Sequence, residues 1–525
     1  MNKQSVKRRR EKDDDGSAIT TDRLFQLPQP VLHNILSLLP QKDAVRTCVL
    51  SKSWRYLWHG RFNVEFREDD YRFTRKNEFW SFIDKTLLRY LDQNLSLQKF
   101  IVDIFLYEVD FVLLQKWIPV LIMNMGVKSF NLISRRTILP LPLVVFQSES
   151  LVELHLRHCN LDTLKSTDNV MLNNLQILRL HYVDITDEIF EKIISGCPLI
   201  ETLDLSECTG LKFIKLHRHH IIKDFGCSVK DQIIIEIEDT HTLERFNIQN
   251  CCQNWFLPHK NMHFPHLKSL KLYRVQLPAE TFHYFSSFFP CLNELILHKC
   301  DGVKEFLLLS SSIKRLTIKM DAKNRIKAFI DTPNILYFEY SGDGFLPSIK
   351  FATTYNDWNS QVTVVYKLRR THNDATFWFL ELNKLLKALS QSHITLIPSP
   401  NKYNKLHIND SYGGFYKPVV VEHLKFWESF SSSGSAILNC FFRVCRPCYL
   451  HMDLFDSGRA KCSFAEYISK LFPDETGCFW LQDLEEVSTE VWKKEAKEWH
   501  CVKGTSLPAL HSRQEIRFRL TWKDQ

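Results

Sequence analysis

The sequence predicts an α/β chain in which a small module of three helices precedes an array of strand-and-helix repeats. Two observations carry this prediction. Apolar residues crowd positions 31–39, and a phrase of the form L-x-x-L-x-L returns about every 24 residues through the middle of the chain. Because one such repeat cannot cover its own apolar side, stacked repeats should place a parallel sheet on one face and helices on the other.

Length and composition limit the classes of protein that the chain can belong to. Its 525 residues exceed what one compact core holds, and its 44% hydrophobic and 24% charged residues are typical of folded domains. The net charge of +8 is small beside 68 basic and 60 acidic residues, which argues against nucleic acid as the partner. No apolar run reaches a membrane span and the N-terminus is charged, so we expect a nuclear or cytoplasmic protein with free thiols and no membrane partner.

Residues 1–21 have the composition of a disordered tail. Basic residues at positions 7–10 are followed by acidic residues at 13–15, with almost nothing apolar between them. The basic run fits a nuclear import signal, and it also fits a plain solvated charge run.

The first predicted helix is apolar on more than one side. Val31, Ile35 and Leu39 share one side of it, with Leu32 and Leu36 beside them. A helix that served only its own small core would show a single apolar stripe. The second apolar side therefore predicts a partner.

Two more short helices follow within the same small module. Asp43 can cap the second helix and Ser51 the third, which carries Trp54 and Leu57. A unit of this size buries too little surface to be stable alone, which favours an interaction module with helix-in-groove packing. The alternative is a plain helical segment of a larger domain.

Residues 22–66 closely resemble the plant F-box. The matching residues, in order, are Asp22-Arg23, Leu27-Pro28, Ile35-Leu36, Leu39-Pro40, Ala44-Val45, Thr47, Leu50-Ser51-Lys52, Trp54 and Leu57-Trp58. The chain departs from the family at Leu24, where Ile is usual, and at Ser53, where a basic residue is common. The resemblance implies docking on a Skp-type adaptor, which tethers the protein to a cullin. It assigns adaptor contact to Leu27, Pro28, Ile35, Leu36, Leu39, Leu50 and Trp54.

The repeat phrase defines a regular series of marker positions at its middle apolar residue. The markers are Phe130, Leu154, Leu178, Leu203, Phe246, Leu270, Leu295, Leu316 and Phe338. Their intervals are 24, 24, 25, 43, 24, 25, 21 and 22 residues. This period is typical of leucine-rich repeats, which form a solenoid with the parallel sheet on the concave face and helices on the convex face. The long interval predicts one degenerate repeat, with residues 233–237 as its remnant.

Helical spacing between the strands, at residues 189–194 and 282–289, favours a helix in each repeat. We place a connector at residues 67–95, the leucine-rich repeats at 96–345 and an irregular extension of the solenoid at 346–525. Within the extension, residues 394–396, 419–424 and 436–438 resemble strands. The C-terminal tail resembles the tails of plant F-box and leucine-rich-repeat proteins.

Side chains between the leucines should point to the open face of the sheet. They form a basic, histidine-bearing strip, whose candidate substrate-binding residues are His155, Arg157, Arg179, His181, Lys271, Tyr273, His298 and Lys319. Such a strip can hold an acidic or phosphorylated segment of a target, and the alternative is a solvated face. Cysteines that follow the strands, such as Cys208 and Cys300, are expected to be structural.

No metal, cofactor or catalytic site is predicted. Cys445 and Cys448 form a single C-x-x-C pair, whereas structural zinc usually needs two regularly spaced pairs, and nucleotide-binding and hydrolase motifs are absent from the sequence. The resemblance implies a non-catalytic substrate-recognition subunit of an SCF-type (Skp, cullin, F-box) ubiquitin ligase, with an unknown protein substrate on the repeats. The alternative is an F-box and leucine-rich-repeat scaffold that acts without ubiquitin transfer.

Overall fold

The computed structural model describes residues 27–39, 41–49, 57, 61–70, 76–105, 111–161, 164–165, 167–216, 221–229, 233–237, 241–250, 263–277, 282, 285–302, 304–320, 326–343, 346–352, 354, 357–366, 376–400, 417–426, 434–452, 479–493, 496–502 and 515–523. The chain divides into two compact units, Met1–Leu154 and His155–Gln525, which are described separately.

The first two helices predicted for the N-terminal module are observed, whereas the third, predicted to begin at Ser51, lies outside the described residues except for Leu57. The first unit contains four described helices. They are α1 (Gln29–Leu38), α2 (Gln41–Arg46), α3 (Lys76–Asp92) and α4 (Phe111–Pro119), with single turns at Thr47–Val49, Glu68–Asp70, Val120–Asn124 and Leu143–Gln147. The carbonyl of Pro28 accepts the N–H of Val31 at 2.9 Å, so the helix begins directly after this proline. Asp43 was predicted to cap α2, but α2 already begins at Gln41 and the Asp43 carboxylate accepts a hydrogen bond from Arg46 at 2.9 Å.

Parallel strands begin earlier in the first unit than the predicted repeat boundary at residue 96. The strands are β1 (Asn63–Arg67), β2 (Lys99–Ile104), β3 (Ser129–Ser134) and the short β4 (Leu139–Pro140). β2 pairs with both β1 and β3, with Phe100 opposite Val64 and Phe130. The first strand thus lies at the end of the predicted F-box span, and the predicted connector contains α3.

An ion-pair network joins the carboxyl ends of these strands. The Arg135 guanidinium donates to both carboxylate oxygens of Asp103, at 2.8 Å each, and to Asp69 at 2.6 Å. Hydrogen bonds to Asp103 raise the pKa of Arg135 further above its usual range. Because bidentate pairs are directional as well as strong, the network fixes the ends of β2 and β3 relative to each other.

The second unit is built on one long sheet. Strand β5 (Glu153–Arg157) spans the boundary between the units and β6 (Cys159–Asn160) follows it. The parallel strands of the main sheet, in order across it, are β7 (Ile177–His181), β8 (Thr202–Cys208), β10 (Asp224–Val229), β12 (Arg245–Gln249), β13 (Ser269–Tyr273), β14 (Glu294–His298), β16 (Arg315–Met320), β18 (Tyr337–Asp343), β20 (Asn359–Tyr366), β21 (His393–Pro400), β22 (Val419–Phe426) and β23 (Cys445–Met452).

The main sheet closes with three antiparallel strands. β26 (Ile516–Trp522) pairs with β23 and with β24 (Leu484–Lys493), which in turn pairs with β25 (Glu498–Val502). A single turn, Phe479–Asp483, precedes β24. Parallel pairing therefore continues well past residue 345, so the extension keeps the repeat architecture more regularly than its sequence indicated.

The repeat predicted to be degenerate is present, but at another position. Strand β10 pairs with β8 and β12, and places Phe225 opposite Leu203 and Phe246. Residues 233–237, predicted as the remnant, lie instead near strand β11 (Ile234–Ile237), which pairs with β9 (Phe213–Leu216) in a separate small sheet. Phe225 divides the long interval into steps of 22 and 21 residues, both within the repeat period.

Within the described residues, helices are fewer than the predicted one per repeat. In the second unit the described helices are α5 (Asp187–Ser195), α6 (Phe285–Phe288), α7 (Thr376–Ala388) and α8 (Gly434–Val444). Elsewhere a second strand replaces the helix, and β15 (Glu305–Leu309), β17 (Lys327–Asp331) and β19 (Ser348–Phe351) form another parallel sheet. Alternation of buried and exposed residues in these segments favours strands over helices.

The strand predictions in the extension have mixed outcomes. Residues 394–396 and 419–424 lie in β21 and β22, as expected. The prediction of a strand at residues 436–438 was wrong, because these residues lie in α8. Leu438, Phe441 and Phe442 are buried at helical spacing, which a run of three apolar residues could not show on its own.

Candidate interaction surfaces

The N-terminal module has a small closed core. Leu32, Leu36, Ala44 and Leu57 are buried together. Leu27 and Leu39 pack against them and remain half-buried. The inner side of α1 is therefore satisfied within the chain.

The other side of α1 presents an apolar stripe. Val31 is 40% exposed, Ile35 is half-buried and Leu38 is 85% exposed, at the spacing i, i+4, i+7 that aligns side chains on one helix face. Val49, in the single turn that follows α2, is 86% exposed. These four residues are called the apolar stripe below. Exposed apolar residues gathered on so small a module indicate a protein contact.

The seven predicted adaptor residues differ in how much of their surface is exposed. Leu27, Ile35 and Leu39 are half-buried and Pro28 is exposed, while Leu50 and Trp54 lie outside the described residues. Leu36 is fully buried, so it holds the module together and presents no surface in the free chain.

The sequence interpretation did not select Val31, Leu38 or Val49 as contact residues. An i+3 step from Ile35 to Leu38, after the i+4 step from Val31 to Ile35, could have found one of them. For Val49, no periodic signal marks its exposure.

The end of α1 is tied to the first strand by buried polar contacts. Arg61 is buried, and its Nη2 donates to the carbonyl of Leu39 at 2.7 Å. The main-chain oxygen of Arg61 accepts a hydrogen bond from the hydroxyl of Tyr90 on α3 at 2.8 Å. The Asn63 amide donates to the Ser37 carbonyl at 3.4 Å. These contacts attach the end of α1 to the start of β1.

All eight predicted substrate residues point away from the core. On β7, β13 and β14, residues alternate strictly between half-buried and buried. The residues between the buried positions of the main sheet, from β7 to β23, form the surface called the strand face below. His155 and Arg157, at the end of β5, are also half-buried, as is Lys319 on β16. The predicted orientation is thus observed for each of them.

The strand face is mixed in charge and not uniformly basic. Lys271 lies 3.2 Å from a carboxylate oxygen of Glu294, and Lys319 lies 2.8 Å from Glu339. His181 Nε2 lies 3.3 Å from Asp204. Each pair joins neighbouring strands, so the acidic partner lies 20 to 23 residues away in the sequence.

The pairing lowers the pKa of one of these carboxylates, Glu294. Burial raises the pKa of Glu294, but hydrogen bonds from Ser269 and Lys271 outweigh it, so the pKa lies below its usual range. The Ser269 hydroxyl donates at 2.7 Å. Glu294 therefore stays ionised and neutralises part of the basic strip.

The cysteines that follow the strands are structural, as predicted. The Sγ of Cys208 donates to the Leu180 carbonyl at 3.2 Å, and that of Cys300 donates to Leu272 at 3.3 Å. Burial raises the pKa of Cys208 to about 12 and that of Cys300 to about 11. These thiols remain protonated and inert at neutral pH.

The described residues contain neither a metal-binding cluster nor a membrane-spanning helix. No group of three or more His, Cys, Asp or Glu among them is placed to hold a metal ion. None of the helices in this described part is long and apolar enough to cross a membrane. The Sγ of Cys445, from the single C-x-x-C pair, donates to the Phe441 carbonyl at 3.3 Å.

Comparison with protein families gives two matches along the chain. Residues 24–63 match the F-box domain. Residues 114–253 and 236–336 match the leucine-rich repeats of FBD-associated F-box protein At5g56370. Both matches fall where the structure shows the helical module and the parallel strands.

Several proteins of Arabidopsis thaliana are similar to this chain. F-box/LRR-repeat protein At3g59200 is 36% identical over 199 residues, which cover 36% of this chain and 37% of that protein. FBD-associated F-box protein At1g66310 is 32% identical over 250 residues, which cover 45% and 54%. F-box/LRR-repeat protein 13 is 30% identical over 226 residues, which cover 41% and 48%. The matched stretch thus spans about a third to a half of these relatives.

Proposed function

The chain carries an F-box and leucine-rich repeats and is homologous to plant F-box/LRR-repeat proteins, and from this premise we propose that it is the substrate-recognition subunit of an SCF-type ubiquitin ligase. The F-box would bind a Skp-type adaptor and, through it, a cullin. The leucine-rich repeats would hold the target protein. The apolar stripe is the observation that carries the proposal.

The stripe has the properties expected of an adaptor contact. Leu38 and Val49 stand almost fully exposed on a module whose core is already closed by other residues. Burying each of these side chains against a partner is worth about 1.5 to 3 kcal/mol. Of the seven residues assigned by family resemblance, Leu27, Pro28, Ile35 and Leu39 keep exposed surface for the same contact.

We propose no catalytic residue in this chain. The role of such a subunit is to raise the effective concentration of target lysines near the conjugating enzyme, which is catalysis by proximity. The contacts from Arg61 to Leu39 and from Asn63 to Ser37 support this role, because they hold α1 of the F-box against the start of the first strand.

Adaptor binding by the purified full chain tests the proposal. Isothermal titration with a Skp-type adaptor should show tight binding by the wild type and at least about a hundredfold weaker binding by the double variant Leu38→Asp, Val49→Asp. The matched control is Ile234→Asp, Val420→Asp, since these residues are 62% and 51% exposed on the second unit. Absence of wild-type binding would overturn the ligase assignment.

The alternative is an F-box and leucine-rich-repeat scaffold that acts without ubiquitin transfer. The two functions share adaptor binding and differ in the fate of the bound target. Reconstitution with adaptor, cullin and conjugating enzyme separates them: ubiquitin transfer to a protein captured on the repeats supports the ligase subunit, and capture without transfer supports the scaffold.

For location, we propose the nucleus, the cytoplasm or both. The proposal is based on the basic run at residues 7–10. Imaging a fluorescent fusion with residues 7–10 replaced by alanine tests the import role. Unchanged nuclear signal in that variant would remove it.

A further inference from the structure

Arg157, at the end of β5, differs from cations of the strand face in its partners. Lys271, Lys319 and Arg315 lie 3.2, 2.8 and 3.8 Å from carboxylate oxygens of neighbouring strands. Within the described residues, Arg157 makes no ion pair, and its Nε is buried without a hydrogen-bond partner. Its charge is therefore not neutralised locally.

The guanidinium of Arg157 is held by an aromatic stack. Its Cζ lies 5.1 Å from the ring centroid of Tyr182, and that ring stacks on His158 with centroids 4.7 Å apart and planes 16° apart. Stacking engages the face of a guanidinium and leaves the donors in its plane for other groups. Such a guanidinium loses less conformational entropy when it binds an anion.

The carboxylates near Arg157 on the strand face are engaged by other groups. On β7 and β8, the strand face presents Arg179, His181 and two carboxylates, Asp204 and Glu207. Glu207 accepts a hydrogen bond from the Ser228 hydroxyl at 3.2 Å. Asp204 is already engaged by His181 at 3.3 Å and by the Ser206 hydroxyl at 2.8 Å. This end of the face therefore has complementary charge for a negatively charged ligand.

We propose that Arg157 is the anchor residue for an acidic segment of the target protein. Its in-plane donors would bind one carboxylate or phosphate group of that segment, while Tyr182 holds the guanidinium in place. The inference rests on the proposed function and deepens it, because it names the chemical class of the target and selects one of the eight predicted substrate residues.

Fluorescence anisotropy with the full chain tests the anchor. The probes are a labelled oligoglutamate peptide, an oligoglutamine peptide of the same length, and the oligoglutamate peptide with one phosphoserine. We expect Arg157→Gln to weaken oligoglutamate binding about tenfold, and Arg157→Lys to lose most of the same affinity, because lysine offers no planar fork. Oligoglutamine should bind neither the wild type nor the two Arg157 variants.

Arg315 provides a matched control. Its Cζ also lies over a tyrosine, 5.2 Å from the Tyr337 ring, but Glu294 lies within ion-pair distance of its guanidinium. Arg315→Gln should therefore leave peptide affinity unchanged. An equal loss in Arg157→Gln and Arg315→Gln would overturn the anchor and indicate diffuse charge attraction. Absence of wild-type binding to both oligoglutamate and the phosphoserine peptide would also overturn the anchor. The same holds if oligouridylate RNA displaces the labelled peptide at a lower concentration than unlabelled peptide does.

The peptide series also identifies the source of the anion. Binding of the phosphoserine peptide at least tenfold more tightly than oligoglutamate, lost in Arg157→Gln, supports the anchor with phosphate as its ligand. Equal binding of the two, also lost in the variant, supports it with carboxylate. Adaptor titration on the same samples separates the two proposals, because peptide binding can fail while adaptor binding persists, and the reverse.

Discussion

The buried guanidinium of Arg61 donates a hydrogen bond to the main-chain carbonyl of Leu39, 2.7 Å away, just past the last residue of α1. Carbonyl groups at a helix C-terminus lack partners within the helix, and a cation there also interacts favourably with the helix dipole. This contact connects the F-box to the residues that lead into β1. It therefore holds the C-terminal end of α1 close to the start of the first parallel strand.

Replacing Arg61 should destabilise the first unit without removing the apolar stripe. Arg61→Met leaves the Leu39 carbonyl without its charged donor, which should cost about 1.5 to 3 kcal/mol. The measurement is urea unfolding followed by tryptophan fluorescence. The control is Arg67→Met, because Arg67 lies 3.5 Å from Glu65 in an exposed ion pair and should change stability by less than about 1 kcal/mol. Equal effects in the two variants would contradict the assigned role of Arg61.

Acid should weaken the strand-face ion pairs in a defined pH range. The folded pKa of Glu294 lies below its ordinary value of 4.5, so its stabilising contribution is complete above that value. The contribution is lost as pH falls through the lower folded pKa. Thermal unfolding of the wild type, followed from neutral pH downward, should show Tm falling below about pH 4.5 more steeply than in Glu294→Gln.

Glu305→Gln is the control for this pH dependence, since Glu305 is exposed on β15 in the other sheet. Its Tm profile should follow that of the wild type. If Glu294→Gln also keeps the full acid-induced loss, the pairing of Glu294 with Ser269 and Lys271 does not contribute to acid stability.

The repeat strands were predictable where leucine marks both buried positions. Leu178 and Leu203 occupy the centres of β7 and β8, as their spacing indicated. The strand that contains Phe225 was not predicted, because the residues after Phe225 are Gly226 and Cys227. Glycine lacks a packing side chain and weakens the strand pattern. The place of this strand in the sheet is set by pairing with β8 and β12, which local sequence does not report.

For the interaction surfaces too, the local sequence predicts some features, and others depend on contacts between residues far apart in the sequence. The apolar excess on α1 is visible in the sequence, but packing against Ala44 and Leu57 decides that Leu36 turns inward and Leu38 outward. Likewise, the basic strip was predictable from alternation. Its neutralisation by Glu294 and Glu339 was not, because those carboxylates approach across strands that are far apart along the chain.

The turn after several strands contains a non-glycine residue in the left-handed backbone region. Arg274 has φ 52° and its N–H donates to the His298 carbonyl at 2.8 Å, so the next strand fixes this conformation. The left-handed region costs an L-residue about 1 to 2 kcal/mol, part of which glycine recovers. Arg274→Gly should therefore raise stability by up to about 1 kcal/mol, and Arg274→Val should lower it. Thermal unfolding checks both, with Asn250→Gly, at φ 59°, as a control expected to change less.

At the closing end of the main sheet, Arg517 lies between two aromatic rings. Its Cζ is 4.0 Å from the ring centroid of Tyr449 and 4.3 Å from that of Trp499. Its Nε donates to Glu490 at 2.6 Å, and both side chains of this pair are largely buried. The pair joins β26 to β24 at positions that face each other directly.

Removing one member of this pair should damage the antiparallel end of the sheet more than removing both. Arg517→Met leaves the Glu490 carboxylate buried without its partner, a change that costs about 3 to 5 kcal/mol in buried pairs. The double variant Arg517→Met, Glu490→Gln removes the unpaired charge and should recover part of that loss. Hydrogen exchange of β24, β25 and β26 measures the effect locally, with β13 as an internal reference that should stay protected. If the single and double variants lose equal protection, the aromatic stacking of Arg517 and not its ion pair stabilises this end of the sheet.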